Sequence, residues 1–166
     1  MGDETNRKIT QERLKELLHY DPDTGNFYNI VTRGPRAQEG TIAGTRHGGY
    51  WRVCLSGAQH YAHRLAVLYV TGEWPKEHVD HINGDTSDNR WANLRPATRS
   101  ENMQNRRGAN SNSKTKLLGV KASRNVFRAQ IKVSGRCVNL GTFSSPEAAH
   151  DAYLKAKAEL HPFSTL

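Results

Sequence analysis

Two cysteines, Cys54 and Cys137, in 166 residues are too few for a disulfide scaffold or a four-thiolate zinc site. Aromatic residues make up 8% and hydrophobic residues 36%, enough for one ordinary domain or two small ones with modest cores. No run approaches the roughly 18–20 consecutive apolar residues that span a bilayer, so no membrane association is expected. The opening MGDETNRKIT is polar and has no apolar core, which argues against a secretory signal. It begins Met-Gly, but an N-myristoylation signal carries Ser or Thr at position six, where this chain has Asn6.

Acid is also scarce, and in one place only. The 24 Lys and Arg against 16 Asp and Glu leave a net charge of +8. Ten of those bases fall between residues 99 and 136: Arg99, Arg106, Arg107, Lys114, Lys116, Lys121, Arg124, Arg128, Lys132 and Arg136. Glu101 is the single acid among them, so the rest of the chain is close to neutral. A solvated basic face is the plain alternative. A one-signed block with aromatic and β-branched residues between its charges points instead to a nucleic acid partner.

The hydrophobic pattern predicts a helix over 10–19, with Thr10 as N-cap and Leu14, Leu17 and Leu18 on one face. DPDTGNFYNI reads as a turn entering a strand, and the Gly-rich 33–48 as loop. GYWRVCLSGAQHY over 49–61 predicts a hairpin about Ser56-Gly57, followed by a short buried helix, AHRLAVLYVT, closed by Gly72. Trp51, Trp74 and Trp91 are expected to pack the core of this part. Residues 79–107 read as strand, polar loop, strand and a helix beginning near Arg99. RRGANSNSKTK has nothing to bury and reads as linker. Three strand-like segments follow, one pair joined at Ser134-Gly135, and then a helix capped by Ser144 or Ser145 with Pro146 in its first turn. Ala148, Ala149, Ala152, Tyr153, Ala156 and Leu160 make a small-residue face on that helix. The fold class is α+β: residues 1–107, a basic flexible linker over 108–116, and a small module over 117–166 in which a three-stranded antiparallel sheet packs on one helix.

The densest chemistry lies in 79–105, VDHINGDTSDNRWANLRPATRSENMQN. A strand, loop, strand and helix would bring Asp80 and Asn102 together as two hard oxygen ligands, a set that suits Mg²⁺ better than zinc. His81 follows Asp80 and would point to the other side of the strand, where a neutral imidazole can act as a general base. Plainer readings exist. An Asp-His pair is common, and Asn83, Asp85 and Asn89 read as turn builders. Asp85 and Asp88 are oxygen ligands of the kind calcium takes, but the EF-hand's terminal Glu and flanking helices are missing. His60 with His63, and His78 with His81, read as helix-start and loop residues, and the two cysteines as unremarkable thiols.

These residues resemble an HNH (ββα-metal) nuclease, in particular the homing endonucleases of phages and introns with DHINGD, DNR, NLR and EN in this order. The upstream GYWRV and AHRLAVLYVTGEWP resemble the usual lead-in of that group. The resemblance implies that His81 is the general base, Asp80 a metal ligand and Asn93 the central Asn that orients the catalytic loop. Asn102 stands where many HNH enzymes have a last His ligand. The implied reaction is Mg²⁺-dependent hydrolysis of a DNA phosphodiester, with Mn²⁺ able to substitute and zinc not expected. Arg95 or Arg99 would contact phosphate or form a surface salt bridge. One such site per chain implies nicking by a monomer, and a double-strand break would need a homodimer or sequential cuts. The resemblance also implies a cytoplasmic setting in a bacterial or phage-infected host cell.

Residues 117–166 resemble the AP-two/ethylene-response-factor DNA-binding domain, through Gly119-Val120, RAQI, LGTF and the Ala-rich SSPEAAHDAY. That family lays a three-stranded sheet in the major groove. Period-two alternation puts Arg128, Gln130 and Lys132 on one face, with Lys121, Arg124 and Arg136 on neighbouring strands or turns. No tryptophan stands on these strands, so no base preference carries over. Taken together, the sequence predicts a site-specific endonuclease of homing type on double-stranded DNA. A non-cleaving DNA-binding regulator and an RNA-directed nuclease or binder are the alternatives.

Overall fold

The computed structural model describes residues 9–165; the polar start of the chain, including Asn6, and Leu166 lie outside the described residues. The chain divides into two compact units, Met1–Ala97 and Thr98–Leu166. The division falls ten residues before the boundary drawn from the sequence at 107/108.

In the first unit, Thr10 caps helix α1 (Gln11–Leu17), its hydroxyl accepting from Arg13 N–H, and Leu14 and Leu17 are buried. The helix stops sooner than expected. Leu18 is extended and opens strand β1 (Leu18–Tyr20), which pairs antiparallel with β2 (Phe27–Asn29). The reason lies in the alternation Leu18 in, His19 out, Tyr20 in, which suits a pleated strand better than a further helical turn. The 33–48 region is not all loop either, since β3 (Thr45–His47) pairs with β4 (Tyr50–Leu55). Strand β5 (Ala58–Tyr61) completes that sheet across a tight turn in which Ser56 and Gly57 both take positive φ. Helix α2 (Ala62–Thr71) ends in left-handed Gly72 and buries Ala62, His63, Leu65, Ala66 and Leu68. Trp51, Trp74 and Trp91 pack against this core, as their positions in the sequence suggest. The unit closes with an antiparallel hairpin, β6 (His78–His81) and β7 (Leu94–Ala97).

The second unit begins with helix α3 (Arg99–Gln104), set by a reciprocal capping box between Thr98 and Glu101. Strands β8 (Val120–Ser123), β9 (Val126–Val133) and β10 (Arg136–Phe143) form an antiparallel sheet with β9 in the centre. Helix α4 (Pro146–Leu160), capped by the Ser145 hydroxyl, covers one face. Its buried seam differs from the small-residue face read from the sequence. Ala149 and Tyr153 are buried, Ala148 and Leu160 are exposed, and Lys157 takes the next buried turn. Lys157 can do so because its Nζ donates to the Arg106 carbonyl (2.6 Å), just past the end of α3. Burial first, then the neighbouring Arg107, lowers its pKa to about 8. The chain after α4 adds three bonds to α3 and its cap: Phe163 N–H to Gln104, and the Thr165 amide and hydroxyl to Asn105. Gly119 has positive φ, and a Cβ there would lie 1.9 Å from the Tyr153 ring, so only glycine lets α4 lie this close.

Candidate active site

Register on the β6–β7 hairpin fixes where the first two candidates sit. Asp80 pairs with Arg95 and His81 with Leu94. Both are well buried, Asp80 at 5% and His81 at 4% exposure. The cost of burying a carboxylate is offset by Arg95, whose Nε and Nη2 each lie 2.9 Å from Asp80 Oδ2. Arg95 is thus an ion-pair partner of Asp80, in a largely buried pair rather than a surface salt bridge.

The loop between the strands is built of side-chain turns. Asn83 Oδ1 accepts from Asp85 N–H, and Asp85 Oδ1 from Ser87 N–H, each at 2.9 Å. Asp88 bonds the Arg90 guanidinium at 2.8 and 2.6 Å, and that contact, foremost, lowers its pKa to about 2. Asn93, in a short 3-10 turn (Trp91–Asn93), staples the loop from below. Its Oδ1 accepts from Asn83 N–H, while its Nδ2 donates to Asn83 Oδ1 and to the Asp88 carbonyl, at 2.9, 3.0 and 2.7 Å.

Two residues near His81 were not read from the sequence as site residues. The His63 ring stands edge-on to His81 at 5.1 Å and stacks on Tyr61 at 5.5 Å. His63 is buried, and its Nδ1 has no hydrogen-bond partner among the described residues. Burial, then His81 and Arg64, push its pKa down to about 3, so the ring is neutral. Asn89 is also buried, and its Oδ1 lies 3.1 Å from His81 Nε2. Neither contact has a local signal. Each joins residues that only the fold brings together, although His63 does lie in the first turn of α2, in keeping with its reading as a helix-start residue. His60 instead faces Trp74, with ring centroids 5.7 Å apart.

Asn102 lies on α3 in the second unit, half-buried, its backbone N–H donating to the Thr98 carbonyl at 3.0 Å. Among the described residues, no group of three or more His, Cys, Asp or Glu side chains is placed to share a metal. A buried carboxylate with few companions is the kind of donor set Mg²⁺ uses, since that ion keeps its waters and takes further oxygens from phosphate.

The basic residues lie as follows. On β9, Arg128 and Lys132 are exposed and Gln130 is half-buried, while Ala129 and Ile131 between them are buried, the alternation expected of that strand. Lys121 on β8 is exposed and sits directly opposite Arg128. Arg124 takes positive φ in the β8–β9 turn, and Arg136 opens β10. Arg99 is exposed on the first turn of α3, as are Lys114 and Lys116 further along. Arg106 bonds Asn110 and Arg107 bonds Thr165.

Residues 60–104 match the family model described as HNH endonuclease. A stretch of 88 residues, 48% of this chain, is 39% identical to an uncharacterized HNH endonuclease of Acanthamoeba polyphaga mimivirus. The chain spans about a fifth of that relative, of which the match covers 21%. No solved structure matches the chain. The matched segment contains α2, the β6–β7 hairpin and its loop, and α3. An HNH endonuclease domain thus occupies this part of the chain. No helix among the described residues is long and apolar enough to cross a membrane.

Proposed function

We propose that the chain is a metal-dependent, site-specific DNA endonuclease of homing type. One observation carries the reading: Asp80 and His81 are buried side by side on the β6–β7 hairpin, inside the segment that matches the HNH endonuclease family. In this reading His81 takes the proton of the attacking water. Asp80 holds a divalent ion, Mg²⁺ with Mn²⁺ as substitute, and Asn102 joins it on the strength of the motif alone. The ion, when bound, supplies positive charge to a phosphodiester oxygen as negative charge builds there. Asn93 keeps the 83–88 loop in shape, so that the backbone beside His81 does not sag. Arg95 holds the Asp80 carboxylate in place.

The remainder of the proposal concerns binding. Residues 1–107 act as the cutting module, 108–116 as a basic linker and 117–166 as an AP-two-like reader of double-stranded DNA. Like charges directly across a strand pair are unfavourable without a counter-charge, and Lys121 opposite Arg128 is such a pair. A polyanion lying on this face would supply the counter-charge, with Gln130 and Lys132 alongside. Tethering a reader to a weakly selective nuclease raises its effective concentration at the target. The setting is the cytoplasm of a bacterial or infected host cell, with the chain acting as a monomer or homodimer.

A DNA-binding regulator that does not cut is the second reading, and the Arg95–Asp80 ion pair favours it, because the carboxylate already has a cationic partner. Supercoiled plasmid incubated with the protein decides between them. Relaxation to the nicked form with Mg²⁺ and none with EDTA is expected, at a position that end-labelled mapping finds in one or a few sequences. Intact plasmid under both conditions, with binding retained, establishes the regulator. Stronger cleavage of an RNA competitor redirects the substrate to RNA.

A further inference from the structure

The tautomer of a neutral histidine decides which of its nitrogens can take a proton, and the site holds the means of deciding it. Asn89 Oδ1 lies 3.1 Å from His81 Nε2. A carboxamide oxygen only accepts, so Nε2 must carry the hydrogen in that bond. The orientation of the amide is itself fixed, because Asn89 Nδ2 donates to the Ser87 carbonyl at 3.3 Å. Turned over, the amide would set its oxygen against the carbonyl oxygen of Ser87, acceptor against acceptor. Both side chains are buried, Asn89 at 3% and His81 at 4% exposure, so water competes little for the bond.

The backbone of Asn89 is held as firmly as its side chain. The Tyr20 hydroxyl donates to the Asn89 carbonyl at 2.7 Å, and Trp91 N–H donates to the Pro22 carbonyl at 2.9 Å. Burial above all, with Asp21 and Asp88 adding to it, raises the Tyr20 pKa far above neutrality, so its hydroxyl remains a donor. Gly25 lies under the same peptide: a Cβ there would come within 2.4 Å of Asn89 C and Arg90 N. The β1–β2 hairpin, otherwise remote from the chemistry in sequence, thus grips the peptide of Asn89, whose side chain reaches His81. Asn93 spends its own amide on the loop.

We propose that Asn89 is a positioning residue that locks His81 as the Nε2–H tautomer, leaving Nδ1 as the nitrogen that accepts the proton. Asn89 is then more than a turn builder. The inference rests on His81 being the base of the proposed nuclease, but its first test needs no turnover.

Two-bond ¹H–¹⁵N correlation spectra of the full chain at pH 8 report each histidine's tautomer, with His81→Gln identifying the His81 signals. The wild type is expected to show the Nε2–H form and Asn89→Ala a mixture of forms or Nδ1–H. Asn89→Asp, which keeps an acceptor at this position, is expected to retain Nε2–H. In plasmid nicking, Asn89→Ala should lower kcat about 10- to 100-fold with KM within about twofold, a part of the roughly 10²–10⁴ that a general base contributes. An Nδ1–H form in the wild type, an unaltered tautomer in Asn89→Ala, or an unaltered kcat in a variant whose tautomer has changed each overturns the proposal. If the wild type does not nick at all, the nuclease reading fails, while the spectra still judge the role of Asn89.

Discussion

His63 is the residue whose environment makes the sharpest demand on conditions. Its pKa falls from the ordinary 6.5 to about 3 because burial disfavours the charged ring. Between those two values the unfolded chain binds a proton that the folded chain does not, so stability falls as pH drops through that window. Above about 6.5 neither state binds the proton and the term vanishes. His63→Phe keeps a ring beside His81 and removes the titration. Urea unfolding at pH 7 and pH 5 should therefore show a smaller loss for His63→Phe than for the wild type. Equal losses would mean that His63 is not neutral in the folded chain. Nothing in the sequence announces this, since AHRLAVL reads as an ordinary amphipathic start. The ring contact with His81 joins residues 18 positions apart.

Elements set by local chemistry were legible, and those set by packing were less so. Thr10 and Ser145 as caps, Gly72 as a helix stop and Ser56-Gly57 as a hairpin turn are each decided by residues within a few positions. The β6–β7 hairpin was legible because INGDTSDN has few residues that favour anything but turns. Strand β1 was hidden because LKELLHY satisfies helical and strand periods equally until Leu18 finds its partner Asn29. Lys157 was hidden because its burial depends on the carbonyl of Arg106. The same scale holds a firm test in Gly119. Gly119→Ala places a methyl against the Tyr153 ring and strains a positive φ, and should destabilise the second unit by about 1–3 kcal/mol. Thermal or urea unfolding followed by circular dichroism measures it, and no loss would contradict the α4 packing described above.

At the scale of the whole molecule, the sequence shows where the charge is, and the structure shows how part of it is displayed. Lys121, Arg128 and Lys132 share the exposed face of the second unit's sheet. If that face meets DNA phosphates, each cation replaced should flatten the slope of log affinity against log salt by about 0.9. The triple change of Lys121, Arg128 and Lys132 to Gln is thus expected to cut the slope by up to about 2–3 and to weaken binding most at low salt. An unchanged slope would place the DNA elsewhere. Asn102 belongs to α3 in the second unit, and its part in metal binding is an inference from sequence alone.

Everything functional hangs on His81 as the base. The direct measurement compares single-turnover nicking of supercoiled DNA by the wild type and His81→Ala in Mg²⁺, with DNA affinity measured in parallel. The expected result is a fall in rate of about 10²–10⁴ with affinity unchanged. Nicking at the wild-type rate by His81→Ala would contradict the account.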